Sequence, residues 1–171
     1  GLNLLAATLT VGICCGAFGI NVGHELGHRN KMYEQIMAKG LLLTSLYMHF
    51  FIEHNRGHHS RVATPEDPAT SEYNTTVFYF WGKSVFNGYK SAWALEKRRL
   101  ERKKLPEFHW RNEMIWYQVI QLGFVTAIGL AFGIKAMVCF ISAALIGILL
   151  LETINYIEHY GLQRNQRANG K

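Results

Sequence analysis

Residues 2–29 read LNLLAATLTVGICCGAFGINVGHELGHR: 22 positions without a charge, then His24, Glu25, His28 and Arg29 in quick succession. A helix needs about 20 mostly apolar residues to cross the hydrocarbon of a bilayer, where nothing satisfies an open backbone. The run therefore predicts a membrane span over about 2–23 that ends at a histidine-bearing turn. His24 and His28 stand four apart, so a helix continuing past the span projects both imidazoles from one face.

Outward from this stretch the chain repeats the same division. Residues 115–134 and 136–151 also carry no charge, and all 30 charged side chains, 18 basic and 12 acidic, are crowded elsewhere. A mean hydropathy of +0.01 is thus an average over two compositions. It excludes an ordinary soluble domain, whose helices set an apolar face against a charged one. Aromatic content (10 Phe, 8 Tyr, 4 Trp) excludes disorder, and three cysteines lying in apolar runs (Cys14, Cys15, Cys139) exclude a disulfide scaffold. The later runs predict spans over about 114–134 and 136–158, a tight hairpin turning at Lys135, with Glu152 and Asn155 facing the protein interior.

Residues 40–52 are uncharged but too few to span, which predicts an interfacial or re-entrant segment. Residues 60–112 form an amphipathic region, with Phe78, Trp81, Val85, Tyr89, Trp93 and Leu95 near helical spacing among lysines, the pattern of a helix lying in the headgroup layer. Of 18 basic residues, 14 lie in 24–114 and three after 160, leaving Lys135 alone in the hairpin turn. By the positive-inside rule this histidine-rich face is cytoplasmic and the protein is integral to the inner membrane. The expected fold class is all-α: a helical transmembrane bundle with cytoplasmic interfacial helices, one membrane domain over 1–171.

Three histidine clusters gather at that face: His24-Glu-Leu-Gly-His28, Glu53-His54-Asn-Arg-Gly-His58-His59 and Asn155-Tyr-Ile-Glu-His159-Tyr-Gly. His54 and His58 repeat the four-residue spacing of His24 and His28, whereas His59 points elsewhere if its helix continues, which would suit a second metal, and could serve either metal if the helix frays at Gly57. Six imidazoles exceed the four protein ligands of a zinc site, and iron accepts imidazole well. Glu25, Glu53 and Glu158 adjoin these histidines, either as partners to them or as solvated groups or ion-pair partners of Arg29, Arg56 and Arg61; Glu152 and Asn155 precede His159 on its face, as partners that would fix an imidazole tautomer. His49 and His109 read as solvated interfacial histidines. A competing pattern is His-Glu-x-x-His, in which His24, Glu25 and His28 would serve an intramembrane zinc protease.

These three motifs resemble those of the integral-membrane alkane 1-monooxygenases, within the membrane fatty-acid desaturase and hydroxylase superfamily. Val62-Ala-Thr-Pro-Glu-Asp-Pro-Ala-Thr-Ser71 and Ala92-Trp-Ala-Leu-Glu96 resemble that family too. The resemblance implies a non-haem enzyme with two iron ions that hydroxylates the terminal carbon of medium-chain alkanes, with O2 as oxidant and electrons from rubredoxin and its reductase. It maps the family's histidine ligands onto His24, His28, His54, His58, His59 and His159. It also implies that the chain is an internal piece of a longer enzyme, whose remaining histidine cluster would follow Lys171. A related desaturase or hydroxylase acting on fatty acyl or aromatic substrates would keep the same histidines.

An alkane partitions into membrane lipid, so a channel opening between spans is the expected route. Ile13, Ala17, Ile20 and Asn21, on the α-helical face leading to His24, are the candidates for its lining. The basic run around Lys97, Arg98, Arg99 and Arg102 suits an anchor to anionic headgroups or a docking patch for a small acidic electron carrier. Nucleic acid is not expected as a partner, because topology explains the basicity.

Overall fold

The computed structural model describes residues 2–164, which form helices and connecting turns with no strand among them. Helix α1 runs over Leu2–Gly27 and contains a π-helical turn at Cys15–Ile20. Helix α2 is Met32–Leu43. Helix α3 is composite: Phe50–Glu53, a π-helical turn His54–His58, then His59–Arg61. Helices α4, α5 and α6 are Val77–Arg102, Glu113–Phe132 and Ile134–His159.

Three of these, α1, α5 and α6, are long and apolar enough to cross a membrane. Their outward faces keep large apolar side chains exposed, among them Leu122, Leu130 and Phe132 on α5. Contiguous surface of this kind suits lipid rather than water. Local sequence sets the ends. Asn112 caps α5, its Oδ1 accepting from the amides of Met114 (2.9 Å) and Ile115 (3.3 Å). Gly133, at φ +84°, makes the turn into α6 in a conformation that L side chains avoid.

Helices α1 and α6 cross at small residues. A Cβ on Gly12 would lie 2.9 Å from the Ala143 carbonyl oxygen, and one on Gly16 would lie 2.9 Å from that of Gly147. The Gly12-x-x-x-Gly16 spacing lets the two backbones touch, which is how helices associate where no hydrophobic drive exists. This contact brings the C-terminal ends of α1 and α6, with His24 and His159, to the same face.

The stretch 40–52 is divided among three features. It ends α2, turns through Leu46 in the left-handed region (φ 51°) and begins α3. Helix α4 packs against the protein rather than standing apart from it. Phe80, Ser84, Gly88, Ala92, Glu96 and Leu100 recur every fourth residue along its buried stripe. Val85, Tyr89, Trp93 and Leu95 pack around that stripe against the core formed by Tyr47, Phe51, Ile52 and Met114. The apolar spacing assigned to a headgroup helix is in this structure a packing face, and Phe78 alone of the apolar residues read there remains widely exposed.

Candidate metal centre

His24 and His28, at the end of α1, place their Nε2 atoms 3.0 Å apart. On α3 the π-turn changes the partner of His54. An α-helix would face it with His58, but the wider turn carries His59 round to it, with Nε2 atoms 2.9 Å apart. The rings interleave across the two helices, with centroids 4.3 Å apart for His24 and His54 and 4.7 Å for His28 and His59. One ligand atom from each of these four lies within 4.8 Å of all the others.

That donor set fits a bound metal ion. Two nitrogens bound at about 2.05 Å to one ion stand about 2.9 Å apart at a right angle and about 3.3 Å apart in a tetrahedron. Both observed Nε2 pairs have this spacing. Electrostatics agree: burial and the neighbouring imidazoles of His24, His58, His59 and His28 hold His54 down to about 2, and burial with His28 and His58 lowers His59. Neutral rings with free lone pairs are the form a cation requires.

The remaining two histidines form an adjoining pair. His58 and His159 meet edge to face at 4.9 Å between centroids, and His58 stacks on His54 at 5.1 Å. Each has its Nδ1 engaged, His58 with Asp67 Oδ2 and His159 with the Asn155 carbonyl oxygen, both at 2.9 Å. Nε2 is left as the atom for a ligand bond. Burial opposes protonation of His58, but the hydrogen bond and charge of Asp67 outweigh it and raise its pKa. Asp67 is itself held by the Thr70 hydroxyl (2.6 Å) and the Ala69 amide (3.2 Å).

All six expected ligands therefore converge. Regular α-helical spacing would pair His54 with His58; the π-turn, which contains Gly57, adds a residue and brings His59 to it instead. Asp67 was missed; its only signal is a carboxylate between Pro65 and Pro68 in a stretch already singled out. His49 is also corrected: it is 6% exposed, packed between Tyr47 and Tyr89, and burial lowers it to about 4.

The expected carboxylate partners separate. Glu152 is buried and accepts from the Tyr47 hydroxyl (2.8 Å) and Asn155 Nδ2 (3.3 Å), so it supports the Asn155 that receives His159. Glu53 is buried and bound to Arg61. Glu158 is exposed. Glu25, also exposed, lies 3.5 Å from Nδ1 of His24, the edge turned from the cluster, which leaves it poorly placed as the base of a zinc protease.

The channel candidates do not share a face. Ile20 is fully buried in the core, while Ile13, Ala17 and Asn21 are exposed. The π-turn at Cys15–Ile20 shifts the register between them. Among the basic candidates, Lys97 pairs with Glu107 at 3.0 Å, and Arg98 and Arg102 are exposed. Arg99 is structural: it donates to buried Glu96 (Nε at 2.7 Å) and to the Arg111 carbonyl (2.6 Å).

With this geometry in hand, the family model for fatty acid desaturases matches residues 2–170. The chain belongs to the fatty acid desaturase family. Among relatives of this desaturase-family chain is alkane 1-monooxygenase 2 of Pseudomonas aeruginosa, 44% identical over 164 residues, 95% of this chain and 43% of the relative. Alkane 1-monooxygenase 1 of the same organism is 41% identical over 170 residues, 99% of this chain and 44% of the relative. The hydroxylase component of a Pseudomonas putida xylene/toluene monooxygenase is more distant, 26% identical over 164 residues, 96% of this chain and 44% of its own. The chain thus spans less than half the length of the relatives it matches.

Proposed function

We propose that this membrane protein belongs to a non-haem diiron monooxygenase that hydroxylates the terminal carbon of medium-chain alkanes to 1-alkanols. The observation that carries this is the convergence of His24, His28, His54 and His59 beside the His58–His159 pair, in a chain 38–44% identical to alkane 1-monooxygenases. An unactivated C–H bond offers no polar handle to acid–base groups, and two irons, when bound, would supply the O2 activation that breaks it. His24, His28, His54 and His59 would hold one ion, and His58 and His159 would contribute to the second.

The protein's own residues orient these ligands. Asp67 fixes the His58 ring through Nδ1, and the Asn155 carbonyl does the same for His159. Neutral His54 and His59 present lone pairs at low cost. Substrate this apolar reaches the site from lipid. Ile13 and Ala17 face outward, where an approaching chain would meet them, with Asn21 one turn nearer the histidines. Ile20 lies too deep in the core to take part.

One oxygen atom enters the product and the other leaves as water, so electrons must arrive from outside. Rubredoxin with its reductase is the proposed source, meeting the exposed bases Lys97, Arg98 and Arg102 at the cytoplasmic face of the inner membrane. Metal analysis of the purified full-length protein tests the reading: about two irons per chain are expected, and a single zinc without iron would replace it with the protease. Product analysis separates alkane hydroxylation from the action of a desaturase, which yields an alkene, or of an aromatic hydroxylase.

A further inference from the structure

Glu53 and Arg61 are eight residues apart on α3, yet Arg61 Nη2 lies 2.9 Å from Glu53 Oε1. Along a regular α-helix eight residues advance about 12 Å, near the reach of two extended side chains, whereas a wider turn advances less. The bridge spans the whole π-turn His54–His58. Ser91 of α4 closes a triangle with it, accepting from Arg61 Nη2 at 2.7 Å and donating to Glu53 Oε1 at 3.2 Å. The ion pair crosses the backbone at Gly57: a Cβ placed there would stand 2.5 Å from both Arg61 Nη2 and Glu53 Oε1. From inside the turn Arg56 reaches out to Glu96 and Glu113, at 3.0 Å each.

A π-turn has poorer geometry than an α-turn and marks a site where something else holds it. We infer that the Glu53–Arg61 bridge over Gly57 is the positioning element that keeps α3 in its π-turn and so decides that His59, not His58, faces His54. His58 is thereby released to Asp67 and His159, and one short motif serves two halves of the centre. Glu53, Gly57 and Arg61 are positioning residues; none is a ligand. The consequence for two irons rests on the proposed function, but the choice of histidine partner does not.

The choice is read with cobalt(II) alone. Two forms of the full-length protein in detergent keep only His54 and His59, or only His54 and His58, the other four clustered histidines being alanine. The bridge predicts cobalt binding at least tenfold tighter to the His54/His59 form. Adding Gly57→Ala displaces the far ends of the Arg61 and Glu53 side chains, with Leu95 Cδ1 giving way slightly from 3.0 Å, and is expected to abolish or invert that preference. Arg61→Gln, which opens the bridge without a methyl on the helix, gives the same loss, and Glu53→Gln, which keeps an acceptor for Arg61, preserves most of it. Equal affinity in the two parent forms, or an unchanged preference after both Gly57→Ala and Arg61→Gln, overturns the inference. Failure of the diiron reading shows separately, in the metal content of the unmodified protein.

Discussion

His58 Nδ1 stands 2.9 Å from Asp67 Oδ2, with the carboxylate fully shielded from solvent and the imidazole side chain only 8% exposed. Asp67 comes from the loop between α3 and α4, so this loop helps to hold the histidine cluster in place. Asp67→Asn keeps the shape and removes the charge that orients the ring. A loss of about 10–100-fold in metal affinity is expected, measured by competition with a chelator. Glu66→Gln, at an exposed neighbour, is the control and leaves affinity unchanged.

Glu96 is fully buried and is the hub of an ion-pair network between α3, α4 and α5. It accepts from Arg56, Arg99 and the Glu113 amide, and Glu113 in turn holds Lys39 at 2.9 Å. Removing one member strands the others, so Glu96→Ala is expected to cost about 3–5 kcal/mol, read as a fall in thermal midpoint in detergent.

The same residue sets an acid dependence. Burial opposes ionisation of Glu96, but hydrogen bonds from Arg99 and the Glu113 amide, with the charge of Arg99, hold it below the ordinary carboxylate value that the unfolded chain keeps. Its stabilisation is complete above that unfolded value and is lost as pH falls through the folded one, because there the unfolded chain binds the extra proton. Denaturation of the parent protein between about pH 5 and about pH 3 should therefore be steeper in pH than that of Glu96→Gln. Equal slopes would remove Glu96 from the acid response.

Close backbone approach at one glycine and open space at another predict opposite outcomes. Gly16→Leu drives a side chain into the backbone of Gly147, at a cost of about 1–3 kcal/mol or more, and tilts His24 and His28 from the cluster. Gly40, in α2, has nothing within 4 Å of an added Cβ, so Gly40→Ala is neutral or stabilises by about 0.4–1 kcal/mol. Melting of both variants, with metal content, checks the pair.

Arg98 and Arg102 are exposed, whereas Arg99 is tied to Glu96. Reversing the first two charges together should raise the rubredoxin concentration for half-maximal turnover without lowering the thermal midpoint, and added salt should narrow the difference. Arg99→Glu should instead destabilise the protein. Unchanged dependence on carrier in the double variant would leave these bases as a headgroup anchor.

Much of this was legible in the sequence because membranes impose a simple code. Long charge-free runs mark α1, α5 and α6, and His24 and His28 at the end of α1, His159 at the end of α6 and the three histidines of α3 mark the candidate centre. The code failed where the helix departs from its regular period. Two π-turns, at Cys15–Ile20 and His54–His58, rotated Ile20 into the core and put His59 in the place expected for His58. Gly57 marks the second as a place where the helix could leave its period, whereas nothing in the local sequence marks the first. Asp67 and Glu96 escaped for a different reason: their partners lie 9 and 40 residues away.

The histidine cluster is proposed to serve oxygen insertion into a terminal C–H bond. The most direct test gives membranes holding the full-length protein a medium-chain alkane, rubredoxin, its reductase and isotopically heavy O2, and reads the product by mass spectrometry. A 1-alkanol carrying one heavy oxygen is expected, absent when the His54→Ala variant is inserted to the same level. An alkene, or an alcohol whose oxygen comes from water, would contradict it.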